Sequence, residues 1–180
     1  MILVVGDSLS AEYGIARGSG WVPLLADRLK QRKFNASVVN ASVSGDTSSG
    51  GLARLPALLT QHRPDLVIIE LGGNDALRGL PNSALRRNLN AMIDASRAAG
   101  AKSMLIGMQV PPNFGRDFAE QFSASFGEVA RAQKVPLVPF LLAGFENRLD
   151  AFQADRIHPL AASQPQMLDN VWPVLEPLLK

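Results

Sequence analysis

Leu66-Val67-Ile68-Ile69-Glu70, running straight into Leu71-Gly72-Gly73-Asn74-Asp75, is the stretch that fixes the class of fold. Its first five residues are mostly apolar, too few for a helix, and end at a glycine pair. That is the pattern of a strand buried on both faces of a parallel sheet. Four other runs share it, at 2–5, 36–39, 103–108 and 136–140. Between them the apolar residues recur at helical spacing: Trp21, Leu24, Leu25 and Leu29; Leu85, Leu89, Met92 and Ile93; Phe118, Phe122, Phe126 and Val129; and finally Leu168, Val171, Trp172 and Leu175. Gly100 stands just past the second stripe, where a helix stop is expected. Alternating strand and helix signals predict right-handed βαβ units, hence an α/β fold: a three-layer α/β/α sandwich on a doubly wound, five-stranded parallel sheet. Two places are less regular. Pro56 should start or kink the second helical segment, and residues 109–115 read as a Pro-rich loop.

At 180 residues the chain can bury a sizeable core, and one domain over residues 1–180 is expected. Hydrophobic residues at 47% and charged residues at 19% are an ordinary globular balance, which excludes a disordered or coiled-coil chain. The net charge is only +2 and the basic residues are scattered, so no nucleic-acid partner is expected. The absence of cysteine excludes disulfides, a Cys nucleophile and a thiolate zinc site. No apolar run reaches the roughly 18 residues of a membrane span, and no signal segment precedes the first strand. A soluble chain is expected, and an exported protein after processing would look the same.

In open α/β sheets, ligands bind beyond the carboxyl ends of the strands. The segments just after the strands are also the richest in Gly, Ser, Asp and Asn: Gly6-Asp7-Ser8-Leu9-Ser10, residues 40–47, Leu71-Gly72-Gly73-Asn74-Asp75, and the stretch from Gln109. Ser8 is placed to expose a hydroxyl there, although a turn or N-cap serine would look alike. A serine nucleophile needs a base, and there are only two histidines. His62 ends a helical segment and reads as a solvated residue. His158, three residues after Asp155 and between the last strand and last helix, can offer one imidazole nitrogen to a carboxylate and the other to a serine, though an incidental surface ion pair fits the same spacing. Gly45 and Asn74 are candidate donors to a developing oxyanion, or else a glycine needed for its dihedral angles and an Asn closing a turn. Residues 109–118 are expected to form a mobile apolar wall with Val110 and Phe114 facing an acyl chain. Equally, Phe114 and Phe118 begin the buried stripe of the next helix.

Taken together, Gly6-Asp7-Ser8-Leu9-Ser10, Ser44-Gly45-Asp46, Gly72-Gly73-Asn74-Asp75 and Asp155-x-x-His158-Pro159 resemble, in order, the four blocks of the SGNH (GDSL) hydrolases. The similarity extends through residues 39–59 and 70–75 to the bacterial thioesterase I, protease I, lysophospholipase and arylesterase group. The resemblance implies a flavodoxin-like sheet, a catalytic set of Ser8, Asp155 and His158, an oxyanion hole from Ser8 N–H, Gly45 N–H and Asn74, and no cofactor or metal. It also implies hydrolysis of small acyl esters and thioesters by a monomer that is periplasmic or secreted, with a cytoplasmic location as the alternative. Two other functions stay open: an SGNH carbohydrate acetylesterase, and a non-catalytic flavodoxin-like binding protein. Arg156, where Gly is common, and Leu160, where a polar residue is common, depart from the pattern.

Overall fold

The computed structural model describes residues 1–110 and 112–180. Five strands form one all-parallel sheet: β1 (Ile2–Gly6), β2 (Val38–Asn40), β3 (Leu66–Glu70), β4 (Lys102–Ile106) and β5 (Leu137–Val138). Their spatial order is β2-β1-β3-β4-β5. The flavodoxin-like doubly wound sheet is therefore present. β1 and β3 are buried over their whole length, as strands covered on both faces must be.

Among the described residues six α-helices connect and flank the strands: α1 (Trp21–Gln31), α2 (Ser48–His62), α3 (Gly73–Leu77), α4 (Asn82–Ala98), α5 (Arg116–Gln133) and α6 (Gln164–Leu175). The chain steps from β1 to β2 in one direction and then from β2 through β3, β4 and β5 in the other. Right-handed crossovers then put α1 on one face and α2, α4 and α5 on the other. The packing agrees: α1 lies on α6, while α4 packs between α2 and α5. All four helical stripes face the core, where Trp21, Leu25, Leu29, Leu89, Met92 and Phe122 are fully buried. Each buried Leu or Phe contributes roughly 1.5–3 kcal/mol relative to exposure, so these stripes fix which side of each helix meets the sheet.

The differences from the sequence reading lie at element ends. The second strand is short and shifted to Val38–Asn40, the fourth stops at Ile106, and the last is only Leu137–Val138. Apolar character continues past these ends because Met108 and Leu141 are buried in the core under the loops. Pro56 does not start α2. The helix begins eight residues earlier, capped by the Thr47 hydroxyl, which accepts from Gly50 N–H at 3.2 Å, and it continues through Pro56. Within the expected 109–115 loop, Pro112–Phe114 form a 3-10 turn, whereas Pro111 lies outside the described residues.

Candidate active site

β1 and β3 are neighbours whose connections leave to opposite faces of the sheet, so a crevice opens beyond their carboxyl ends. Ser8 follows β1 and Asn74 follows β3 into this crevice. The nucleophile loop is tightly wound: Leu9 N–H donates to Asp7 Oδ1 (3.0 Å), and Ser10 and Ala11 N–H both turn back onto Asp7 O. The Ser8 side chain is half-buried, and its Oγ lies 2.9 Å from His158 Nε2.

His158 arrives from the other end of the chain on a closed loop. An antiparallel bridge between Phe152 and Pro159 pinches its base, and Gln153 N–H donates to His158 O at 2.7 Å. Inside it, Asp155 Oδ1 accepts from Ile157 N–H (2.9 Å) and His158 N–H (3.0 Å), and Oδ2 lies 2.7 Å from His158 Nδ1. The i, i+3 spacing works because one carboxylate both caps the turn and meets the ring. Partial burial acts to raise the Asp155 pKa, but the hydrogen bonds from His158 N–H, the His158 ring and Ile157 N–H outweigh it and hold the carboxyl at about 2. Asp155 is thus an anion at any working pH, which favours His158 Nδ1 protonated and Nε2 free to accept from Ser8. Arg156, the departure noted in the sequence, carries φ +59°, a left-handed backbone that glycine adopts more readily. Gln153 Nε2 donates to Tyr13 O (2.8 Å), tying this loop to the nucleophile loop, and the Tyr13 ring sits 4.4 Å from the imidazole.

Gly45 has φ +79° with open space around its missing Cβ, so the dihedral and not a close approach makes glycine fit there. Its carbonyl accepts from Arg78 Nη2 at 2.8 Å, and Arg54 pairs with Asp46 and donates to Ala41 O, which together hold the loop after β2. Among the described residues neither Ser8 N–H nor Gly45 N–H has an acceptor. Asn74 Nδ2 already donates to Asp46 O (2.9 Å) and Asp7 Oδ2 (3.1 Å). An incoming oxyanion would share or displace the longer contact, to Asp7. Asn74 is thereby tied to the residue before Ser8 and the residue after Gly45.

The structure brings Ser8, His158, Asp155, Gly45 and Asn74 to one crevice and leaves His62 at the end of α2. The expected acyl wall divides. Val110 and Phe118 pack partly against the core, and Phe118 lies over Phe122. Phe114 is exposed at 37%. The sequence reading passed over Glu70, Asp75 and Tyr13. Asp75 is buried and accepts from Ser48 N–H (2.8 Å) and Ser48 Oγ (2.5 Å), seating the start of α2 against α3. For Glu70 the available signal was an acidic residue closing an otherwise apolar, doubly buried run. No group of three or more His, Asp or Glu able to hold a metal ion occurs among the described residues, and none of their helices is long and apolar enough to cross a membrane.

Comparison with known proteins gives the family. The GDSL-like lipase/acylhydrolase family matches residues 4–164. Esterase TesA of Pseudomonas aeruginosa is 54% identical over 99% of this chain and 89% of its own length. The thioesterase 1/protease 1/lysophospholipase L1 of Escherichia coli K12 is 42% identical, over 99% and 84%. The crystal structure of the psychrotrophic esterase EstA from Pseudoalteromonas sp., inhibited by monoethylphosphonate, superimposes with a TM-score of 0.94 at 38% identity, covering 99% of this chain and 97% of that one. With this crevice and these relatives, the chain belongs to the GDSL-like lipase/acylhydrolase family and is a serine ester hydrolase.

Proposed function

We propose that the chain hydrolyses acyl esters and thioesters through an acyl-enzyme on Ser8, with His158 as general base, Asp155 as its orienting residue, and Ser8 N–H, Gly45 N–H and Asn74 Nδ2 as the oxyanion hole. The observation that carries this reading is the unbroken chain Ser8 Oγ to His158 Nε2 at 2.9 Å and His158 Nδ1 to Asp155 Oδ2 at 2.7 Å. Nε2 takes the Ser8 proton as Oγ attacks the carbonyl carbon, and the negative charge moves onto the carbonyl oxygen. The imidazolium, stabilised by the Asp155 anion, then gives its proton to the departing alcohol or thiol. Water enters, loses a proton to His158 and attacks the acyl carbon; the bond from Ser8 Oγ to the acyl carbon breaks and His158 returns the proton to Oγ. The likeness to an esterase solved with a phosphonate inhibitor supports the same attack, since a phosphonate mimics the tetrahedral acyl centre.

The acyl chain lies against Val110 and Phe114, a reading supported by the exposure of Phe114 in the turn just after β4. The substrate is a small molecule and the enzyme acts as a monomer; light scattering on the purified protein tests the latter. Its place is the periplasm or outside the cell, supported by the group resemblance alone and tested by cell fractionation. The deciding experiment for the reaction is a panel of p-nitrophenyl esters of increasing chain length, an acyl-CoA, a lysophospholipid and an acetylated sugar. Turnover of the acyl esters and thioester supports the reading; turnover confined to the acetylated sugar replaces it with a carbohydrate acetylesterase.

A further inference from the structure

Beneath the crevice lies a carboxyl group that the mechanism leaves unused. Glu70 ends β3, is wholly buried, and stands opposite Gly6 in the sheet register. Its Oε2 accepts from Ser10 Oγ (2.7 Å) and Asp7 N–H (3.3 Å), and Ser10 Oγ in turn accepts from Trp21 Nε1 (3.1 Å). A Cβ on Gly6 would sit 2.7 Å from that same oxygen, so the glycine of the first block makes room for this carboxyl. The other end of the network is chemical. Asp7 Oδ1 holds Leu9 N–H, bracketing Ser8, and Asp7 Oδ2 holds the Asn74 amide.

We propose that Glu70 is a positioning residue of this hydrolase: from beneath the sheet edge its carboxyl grips Asp7 N–H and the Ser10 hydroxyl, the residues on either side of Ser8 and Leu9, and so sets both the Ser8 hydroxyl and the Asp7 contact that aims Asn74. The inference rests on Ser8 being the nucleophile. Glu70 does this as a neutral acid: burial, and then the neighbouring Asp7 carboxyl, push it well above the usual carboxylate range. Its second oxygen, Oε1, is buried without a hydrogen-bond partner among the described residues, which an anion would tolerate poorly. Asp7 differs. Burial raises it to about 6, against hydrogen bonding from Leu9 N–H, the charge of His158 and the Asn74 amide, so it remains an anion above that pH. Two buried carboxyls side by side thus divide the roles, one neutral and structural toward the loop, one charged toward the oxyanion donor.

A neutral amide of the same shape keeps the oxygen that accepts from Asp7 N–H and the Ser10 hydroxyl, with an NH2 group in place of the acid hydroxyl, whereas an apolar side chain strands both donors. The test therefore compares Glu70→Gln, Glu70→Leu and Ser10→Ala with the parent and with Ser8→Ala. The readouts are kcat and KM on p-nitrophenyl butyrate, the rate of labelling by a fluorophosphonate, and the folded fraction by circular dichroism. The expected result is Glu70→Gln within about threefold of the parent, and folded Glu70→Leu lowered at least tenfold in kcat and equally in labelling rate, with KM little changed. Ser10→Ala is expected to fall severalfold, and it decides the matter if Glu70→Leu does not fold. A folded Glu70→Leu with parental kcat, or Ser10→Ala with parental kcat where Glu70→Leu is unfolded, overturns the proposal. So does a Glu70→Gln as impaired as Glu70→Leu, which would mean that the charge is what matters. Parental labelling in Ser8→Ala overturns the nucleophile assignment instead, keeping the two failures distinct.

Discussion

Truncating Asn74 to Ala should separate a catalytic from a structural loss within one variant. The amide holds Asp46 O at 2.9 Å and Asp7 Oδ2 at 3.1 Å, and it is one of the three donors proposed for the oxyanion. Losing such a donor lowers kcat by roughly 100- to 1,000-fold, about 2.7–4 kcal/mol of transition-state stabilisation. The ground-state carbonyl engages it weakly, so KM should change little. The same truncation takes a partner from Asp7, which is 2% exposed. Stranding a buried acceptor costs about 1–3 kcal/mol, and in a chain of this size each kcal/mol moves Tm by roughly 2–4 °C. Steady-state kinetics on p-nitrophenyl butyrate alongside calorimetry should therefore show a kcat lower by two to three orders of magnitude and a Tm lower by several degrees. A kcat within fivefold of the parent with a raised KM would refute the oxyanion role and make Asn74 a substrate-positioning residue. A fallen Tm with unchanged kcat would make it purely structural.

The acyl wall predicts that Val110→Ala combined with Phe114→Ala loses rate selectively on long p-nitrophenyl esters, at about 0.8 kcal/mol for each methylene no longer buried; a uniform loss with lowered Tm would assign these side chains to the core. Asp155 is held below its unfolded value, so the stability it contributes is complete above the unfolded pKa and is lost as pH falls through about 2. Asp155→Asn should accordingly melt below the parent at pH 7, with the gap closing under acid titration followed by circular dichroism, and a gap that widens in acid would reverse the sign of this linkage. Arg156→Gly relieves a left-handed residue, worth about 1 kcal/mol or roughly 2–4 °C in Tm by calorimetry. An unchanged or lower Tm would mean that the added backbone freedom of the unfolded glycine offsets the relief.

Strand and helix types were legible in the sequence because burial on both faces leaves β1 and β3 apolar except for Glu70, and because the helical stripes have an unambiguous period. Strand ends were not, since Met108 and Leu141 are apolar for the sake of loop packing and not of pairing. Of the two readings of Pro56, helix start or kink, the start fails because the cap lies at Thr47, and a proline is tolerated inside a helix long enough to hold its remaining bonds. In the crevice, the residues whose chemistry is distinctive in single letters stood out: a serine after a strand, one of two histidines, an aspartate three residues before it. Glu70, Asp75 and Tyr13 did not, because their parts depend on partners 60, 27 and 145 residues away. Only the register of β1 on β3, which sets Gly6 against Glu70, reveals that a carboxyl under the sheet edge meets the nucleophile loop.

The central claim is that Ser8 attacks the acyl carbon with His158 as its base, and covalent labelling with a fluorophosphonate, located by peptide mass spectrometry, tests it most directly. One adduct per chain, on the peptide and residue Ser8, is the predicted result, with none in Ser8→Ala and sharply slowed formation in His158→Ala. Ester hydrolysis should fall in Ser8→Ala by several orders of magnitude while the fold is kept, since among the described residues the only hydrogen bond of the Ser8 hydroxyl is to His158. An adduct on another residue, or a Ser8→Ala protein that labels or retains more than a tenth of parental activity, would contradict the account.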